Sequence, residues 1–202
     1  MLTQRPLYYC SSNPGKLREF ALAAETIADL PFRIEALPGL KQIPAPPEEG
    51  LTFEENADSK ASYYSRFTSE LVFADDSGLE VEALGGAPGV HSARFAGPNA
   101  TDADNNNLLL EQLANQTDRR ARFVCVLALA RESSRIATFR GSVEGEILQQ
   151  AHGANGFGYD PLFFYPPLAR SFGELTPAEK FPISHRGRAL RLLFERLRDA
   201  SR

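Results

Sequence analysis

Apolar and polar positions along this chain switch repeatedly between the period of a strand and that of a helix. Residues 6–11 (PLYYCS) form an apolar run that predicts a buried strand. Asn13-Pro14-Gly15-Lys16 follows, with Asn suited to a helix N-cap and Pro to the first helical position. Leu17, Phe20, Ala21, Ala24 and Ala28 then recur at helical spacing, so the segment reads strand, tight turn, helix. Residues 32–37 (FRIEAL) alternate as a second strand, and Pro38 to Gly50 is a proline-rich acidic loop. Thr52-Phe-Glu-Glu55 fits a capping box opening a helix with Phe53, Ala57, Ala61 and Tyr64 on one face. Leu71 to Ala74 predicts a strand ending at Asp75-Asp76. Thr101-Asp-Ala-Asp104 opens another helix, carrying Leu108, Leu109 and Leu113. Residues 121–131 and 135–148 read as two long paired strands, and Thr176 to Glu179 as a short capped turn. The last helix begins near Ser184 and turns Leu190, Leu193, Phe194 and Leu197 inward. Early strand–helix alternation with late strand pairing predicts an α/β fold with a mixed sheet. With no repeat, low-complexity tract or linker, residues 1–202 read as a single domain.

Composition narrows the class. Hydrophobic residues make up 43% of the 202 residues and charged residues 24%, which excludes disorder or a fibrous chain as the main state. The longest clean apolar run, Phe123 to Ala130, is far short of the roughly 20 residues of a membrane helix. The start, MLTQRPLYYCSSN, has neither a basic opening nor an apolar stretch, so no signal peptide is expected. Cys10 and Cys125 sit in strand-like segments and read as buried, reduced thiols of a cytoplasmic protein. The net charge of −4 is unevenly spread: residues 1–118 carry 8 basic and 18 acidic side chains, residues 119–202 carry 14 and 8. An acidic total disfavours a nucleic-acid partner. The asymmetry fits a metal-capable region beside an anion-capable one, or simply solvated faces that differ.

Four segments can carry chemistry. Ser11-Ser12-Asn13-Pro14-Gly15-Lys16 places small residues, backbone N–H groups, a helix N-terminus and one ammonium at a single point, which suits a triphosphate. It lacks the GxxxxGK[ST] pattern, and an ordinary capped helix with a surface lysine is the alternative. Asp75 and Asp76 at a strand end point to opposite faces and so differ in role. One can hold a divalent cation or polarise water and the other orient a lysine, although Asp-Ser-Gly is also plain turn chemistry. Asn56 and Lys60 share a helix face and can meet phosphate or carboxylate, and Glu48 and Glu49 in the preceding loop can complete an oxygen-rich Mg²⁺ site. A solvated helix face and a solubilising loop are the alternatives there. Phe157-Gly158-Tyr159-Asp160, with Lys180, His185 and Arg186 downstream, offers glycine-flanked aromatics for stacking on a base. Lys180 and Arg186 carry donors only, so they favour a 6-keto oxygen and oppose a 6-amino group. The three His are too scattered for a zinc site, and no Ser or Cys nucleophile motif is visible.

Taken together, SSNPGKLREF, GLTFEENADSKA, ADDSGLEVEALGGAPGVHSARFAG, FGYDPLFF and ELTPAEKFPISHRGRAL resemble the inosine/xanthosine triphosphate pyrophosphatases, in the family's order and across residues 11–190. The resemblance implies a long central mixed β-sheet flanked by helices, two lobes with an active-site cleft between them, and a homodimer. It implies Mg²⁺-dependent hydrolysis of ITP, dITP and XTP to the monophosphate and pyrophosphate. Carried over by position, Ser11 to Lys16 hold the phosphates, Asp76 accepts a proton and binds metal, and Ser77 touches substrate. Lys60 sits near the phosphates and the acidic pair. Phe157 to Asp160, Lys180, His185 and Arg186 frame the base. The chain departs from the family at Ser11-Ser12-Asn13, commonly Thr-Gly-Asn, at Pro47-Glu48-Glu49-Gly50, often Glu-Glu-Thr-Gly, and at the bulky Phe181-Pro182. The rival readings are a pyrophosphatase for pyrimidine or methylated nucleotides and a catalytically silent nucleotide binder.

Overall fold

The computed structural model describes residues 5–11, 13–26 and 32–199, the side chains of 24–26 apart. The strands are β1 (Arg5–Tyr9), β2 (Phe32–Ala36), β3 (Leu71–Val81), β4 (Arg120–Arg131), β5 (Ser134–Ile147), β6 (Phe163–Tyr165) and β7 (Arg170–Ser171). The α-helices are α1 (Pro14–Thr26), α2 (Phe53–Tyr64), α3 (Asp102–Gln112), α4 (Pro177–Lys180) and α5 (His185–Asp199). One mixed seven-stranded sheet runs in the order β2-β1-β3-β4-β5-β6-β7. β1 is parallel to β2 and β3, and β6 is antiparallel to β5 and β7. The unbroken apolar stretch of β4 is buried residue after residue, as a strand covered on both faces must be, whereas β5 alternates buried and exposed.

The chain divides into two compact units, Met1–Asp76 with Cys125–Gly141 and Arg186–Arg202, and Ser77–Val124 with Ser142–His185. In the first, the Tyr9 ring lies 4.0 Å from Phe20 and 5.1 Å from Phe73. The predicted faces of α2 and α5 are buried there. On α1, Phe20 and Ala23 are buried but Ala21 is exposed; the Ala24 side chain and Ala28 lie outside the described residues. The second unit centres on Leu79, Leu109, Leu113, Phe123, Phe163 and Phe172.

β3 does not stop at the acidic pair as expected but continues to Val81. The turn preference of Asp-Ser-Gly is local, while Leu79 and Val81 are fully buried, and that burial extends the strand through the polar residues. The short strands β6 and β7, at three and two residues, were not anticipated.

The hairpin between β4 and β5 turns through Glu132 and Ser133, with φ of 50° and 66°. Two left-handed central residues define a type I′ turn, where Asn-Gly is preferred. Replacing both, Glu132→Asn with Ser133→Gly, keeps the Ser133 N–H that donates to Ser65 Oγ at 2.8 Å. The double variant is expected to be more stable by about 1 kcal/mol, read as a raised urea midpoint with unchanged slope.

Candidate active site

The first unit gathers most of the charged candidates. β1 hands the chain to α1 through Ser11, whose Oγ accepts from Asn13 N at 3.1 Å. Asn13 caps the helix as expected: its Oδ1 accepts from Gly15 N at 2.8 Å and Lys16 N at 3.1 Å. Those two amides, expected to face an anion, are thus taken by the cap, and Pro14 is exposed. Ser12 lies outside the described residues. Lys16 reaches back from the first turn to place its ammonium 2.8 Å from Asp75 Oδ2.

The two aspartates have opposite surroundings, as strand alternation requires. Asp75 is buried, accepts from Tyr9 Oη at 3.0 Å, and has Arg186 Nε at 4.0 Å in addition to Lys16. Burial pushes its carboxyl up, but the charges of Lys16, Arg186 and Lys60 outweigh burial and hold it well below the ordinary range. Asp75 is therefore an internal counter-ion that sets Lys16 and Arg186. This matches the reading in which one aspartate of the pair orients a lysine.

Asp76 meets α2. Lys60 Nζ donates to Asp76 Oδ1 at 2.8 Å and to Glu48 Oε1 at 3.0 Å. The helix face carrying Asn56 and Lys60 is buried rather than solvated. Burial opposes the Lys60 ammonium, but Asp76, Asp75 and Glu48 together hold its pKa above the usual lysine value. For Asp76 the balance is reversed: burial raises its carboxyl above the usual value despite the pull of Lys60. Both loop acids are exposed, and Glu48 rather than Glu49 is the one paired with Lys60. No group of three His, Cys, Asp or Glu among the described residues forms a ready metal cage. Mg²⁺ needs none, because it is usually held by one or two carboxylates plus substrate phosphates. Asp76 and Glu48 already converge on one cation, the Lys60 ammonium, so this donor set suits the ion.

Arg186 belongs to the same unit. Its fully buried guanidinium pairs with Glu19 and lies 6.0 Å from the Phe20 ring centre, in addition to facing Asp75. It was expected to join Lys180 in reading a base; the structure gives its charge to these two acids. Glu19, 167 positions away in sequence, was missed, because a pair of that separation has no local signal.

The second unit holds the aromatic loop. Asp160 accepts from Phe157 N at 2.8 Å and from Lys180 Nζ at 2.6 Å, both side chains being buried. The Lys180 ammonium also lies 5.2 Å from the Phe157 ring centre. Gly158, at φ 61°, donates its N–H to Asp102 Oδ2 at 2.7 Å and accepts at its carbonyl from Asn106 Nδ2 at 3.1 Å. Neither Asp102 nor Asn106 was anticipated in this role. Tyr159 is 5% exposed and its hydroxyl donates to the Ser92 carbonyl, which ties it into the core of this unit. His185 is buried and stacks on Phe123 with ring centres 4.7 Å apart. Ser77, half-buried, continues β3 from Asp76.

Adjacent buried carboxylates on one β-strand, each paired with its own lysine, make this stretch of β3 the candidate active site of an α/β protein. The chain belongs to the Ham1 family, whose model matches residues 7–196. It is 50% identical over 187 residues to a dITP/XTP pyrophosphatase of Exiguobacterium sp., covering 93% of this chain and 94% of that one. It is likewise 50% identical over 200 residues to a dITP/XTP pyrophosphatase of Acidobacterium capsulatum, covering 95% and 97%. The Staphylococcus aureus Ham1 protein superposes with a TM-score of 0.85 at 39% identity, covering 97% of this chain and 100% of that one.

Proposed function

We propose that this protein hydrolyses non-standard purine nucleoside triphosphates, ITP, dITP and XTP, to the monophosphate and pyrophosphate with Mg²⁺. The observation that carries the reading is the convergence of Asp76 and Glu48 on Lys60, with Asp75 and Lys16 paired on the other side of the same strand. The names of the two bacterial relatives support the substrate class.

Asp76 accepts the proton of the water that attacks the α-phosphorus, and its burial-raised pKa makes it a stronger base than an exposed carboxylate. Lys60 and Lys16 compensate the charge that develops on the leaving pyrophosphate. Glu48 and Asp76 would hold Mg²⁺, which would supply Lewis-acid polarisation of phosphate oxygens and an acidified water. Ser11 and Asn13 to Lys16 shape the phosphate end. Phe157 stacks on the base, and Asp160 holds Lys180, whose donors satisfy a 6-keto oxygen and leave a 6-amino group opposed. His185, buried and stacked on Phe123, is assigned to the same base end. The same reading makes the protein a cytoplasmic homodimer with no nucleic-acid or membrane partner; sedimentation tests the dimer.

The test is pyrophosphate release from ITP, dITP, XTP, GTP and ATP. The three non-standard substrates are expected to exceed GTP and ATP in kcat/KM by about 100-fold, and EDTA is expected to remove about 99% of the rate. Equal rates on all five would overturn the base reading, and EDTA-insensitive turnover would overturn the metal.

A further inference from the structure

Asn56 and Lys60 are the polar residues among those that α2 turns inward. Phe53, Ala57 and Ala61 bury apolar surface, whereas Asn56 buries a carboxamide at 2% exposure. Asparagine is a weaker helix former than alanine, and a buried amide is tolerated only when it is hydrogen-bonded. Its bonds are complete at three points. Its Oδ1 accepts from Gly50 N at 2.8 Å, and its Nδ2 donates to Gly50 O at 3.3 Å and to Asp76 Oδ2 at 3.2 Å. The partners fix which end of the amide is which, since a backbone N–H needs an acceptor and a carboxylate a donor.

Two consequences follow from those contacts. Asp76 has one oxygen on Lys60 and the other on Asn56, so the plane of its carboxylate is held by two side chains one helical turn apart on α2. Gly50, two residues beyond Glu48, is clasped at both its N–H and its carbonyl. A Cβ at Gly50 would lie 2.6 Å from Asn56 Oδ1 and 2.8 Å from Glu55 Cβ, so only glycine permits this approach. Glu55 secures the next two amides, Leu51 N at 2.7 Å and Thr52 N at 3.1 Å. The acid loop is thereby fastened to the first turn of α2, and through Asn56 to Asp76 itself.

We propose that Asn56 is a positioning residue for turnover, locking the Asp76 carboxylate and the Glu48-bearing loop into one frame. The proposal rests on the functional reading above, in which Asp76 is the proton acceptor. Displacing a reacting group by about 1 Å can cost about 100-fold in rate, so loss of the lock acts on kcat. A residue that merely packed α2 would leave kcat unchanged in whatever protein remained folded.

The experiment is a double-mutant cycle with dITP, measuring kcat, KM and the thermal midpoint for wild type, Asn56→Ala, Asp76→Asn and the pair. Asn56→Ala is expected to lower kcat by about 10- to 100-fold with KM within about threefold. In the Asp76→Asn background the same substitution is expected to lower kcat by clearly less than in wild type, because the part acting through Asp76 has nothing left to position and only the hold on the Glu48-bearing loop remains. Asn56→Asp, isosteric but facing Asp76 with a second carboxylate, is expected to match or exceed the loss in Asn56→Ala, and it decides the matter if the alanine variant does not fold. An unchanged kcat, a loss confined to KM, or losses that multiply across the cycle would overturn the positioning role. An inactive wild type would instead overturn the functional reading on which it rests.

Discussion

Asp76→Asn is expected to lower pyrophosphate release from dITP by about 1,000-fold or more while moving the thermal midpoint by only a few degrees. The substitution keeps the shape of the side chain and an acceptor for Lys60, and Glu48 still pairs with that lysine at 3.0 Å. What is lost is the ability to take a proton, together with the second acceptor oxygen that Asn56 Nδ2 uses. The small stability cost follows from the direction of the pKa: burial raises Asp76, so its charged form is disfavoured in the folded protein and a neutral replacement sacrifices little. Stopped and steady-state release of pyrophosphate checks the rate. A variant within tenfold of wild type would remove Asp76 from proton transfer.

Asp75→Asn is expected to behave in the opposite way, destabilising the fold by about 3 kcal/mol because it leaves buried positive charge with fewer partners. For a protein of this size that is a fall of about 6–12 °C in the thermal midpoint. Lys16 loses its 2.8 Å partner, Tyr9 its acceptor, and Arg186 is left chiefly to Glu19. The pH dependence has a definite sign. Asp75 is lowered in the folded state, so its stabilisation is complete above the unfolded value of 3.8 and is lost as pH falls below it toward the folded value. Wild type should therefore lose stability on acidification from about pH 5 to about pH 3, and the variant should lose less over that interval. Urea midpoints at several pH values measure this, and parallel curves for the two proteins would contradict it.

Local chemistry was legible in the sequence because its causes are local. Asn13 before Pro14 and the boxes at Thr52–Glu55 and Thr101–Asp104 all cap helices as their side chains dictate. The opposite facing of Asp75 and Asp76 follows from strand geometry alone, and each has its own lysine. Tertiary burial decided the rest. It carried β3 through a turn-like Asp-Ser-Gly, drew Tyr159 into the core, and brought Glu19 to Arg186. Choosing Glu48 over Glu49 likewise depends on how the acid loop is clasped at Gly50, which no spacing rule encodes. The clamp on Gly158 by Asp102 and Asn106 of α3 was invisible for the same reason, being a contact across more than fifty residues.

The most direct test of the account is the position of the oxygen that water delivers. ITP hydrolysed in ¹⁸O-enriched water should yield IMP carrying one label and unlabelled pyrophosphate, because water attacks the α-phosphorus and the pyrophosphate leaves intact. Label in pyrophosphate would place the attack on the β-phosphorus, and label in inorganic phosphate would make the reaction a phosphohydrolysis; either would contradict the roles assigned to Asp76, Lys60 and Lys16.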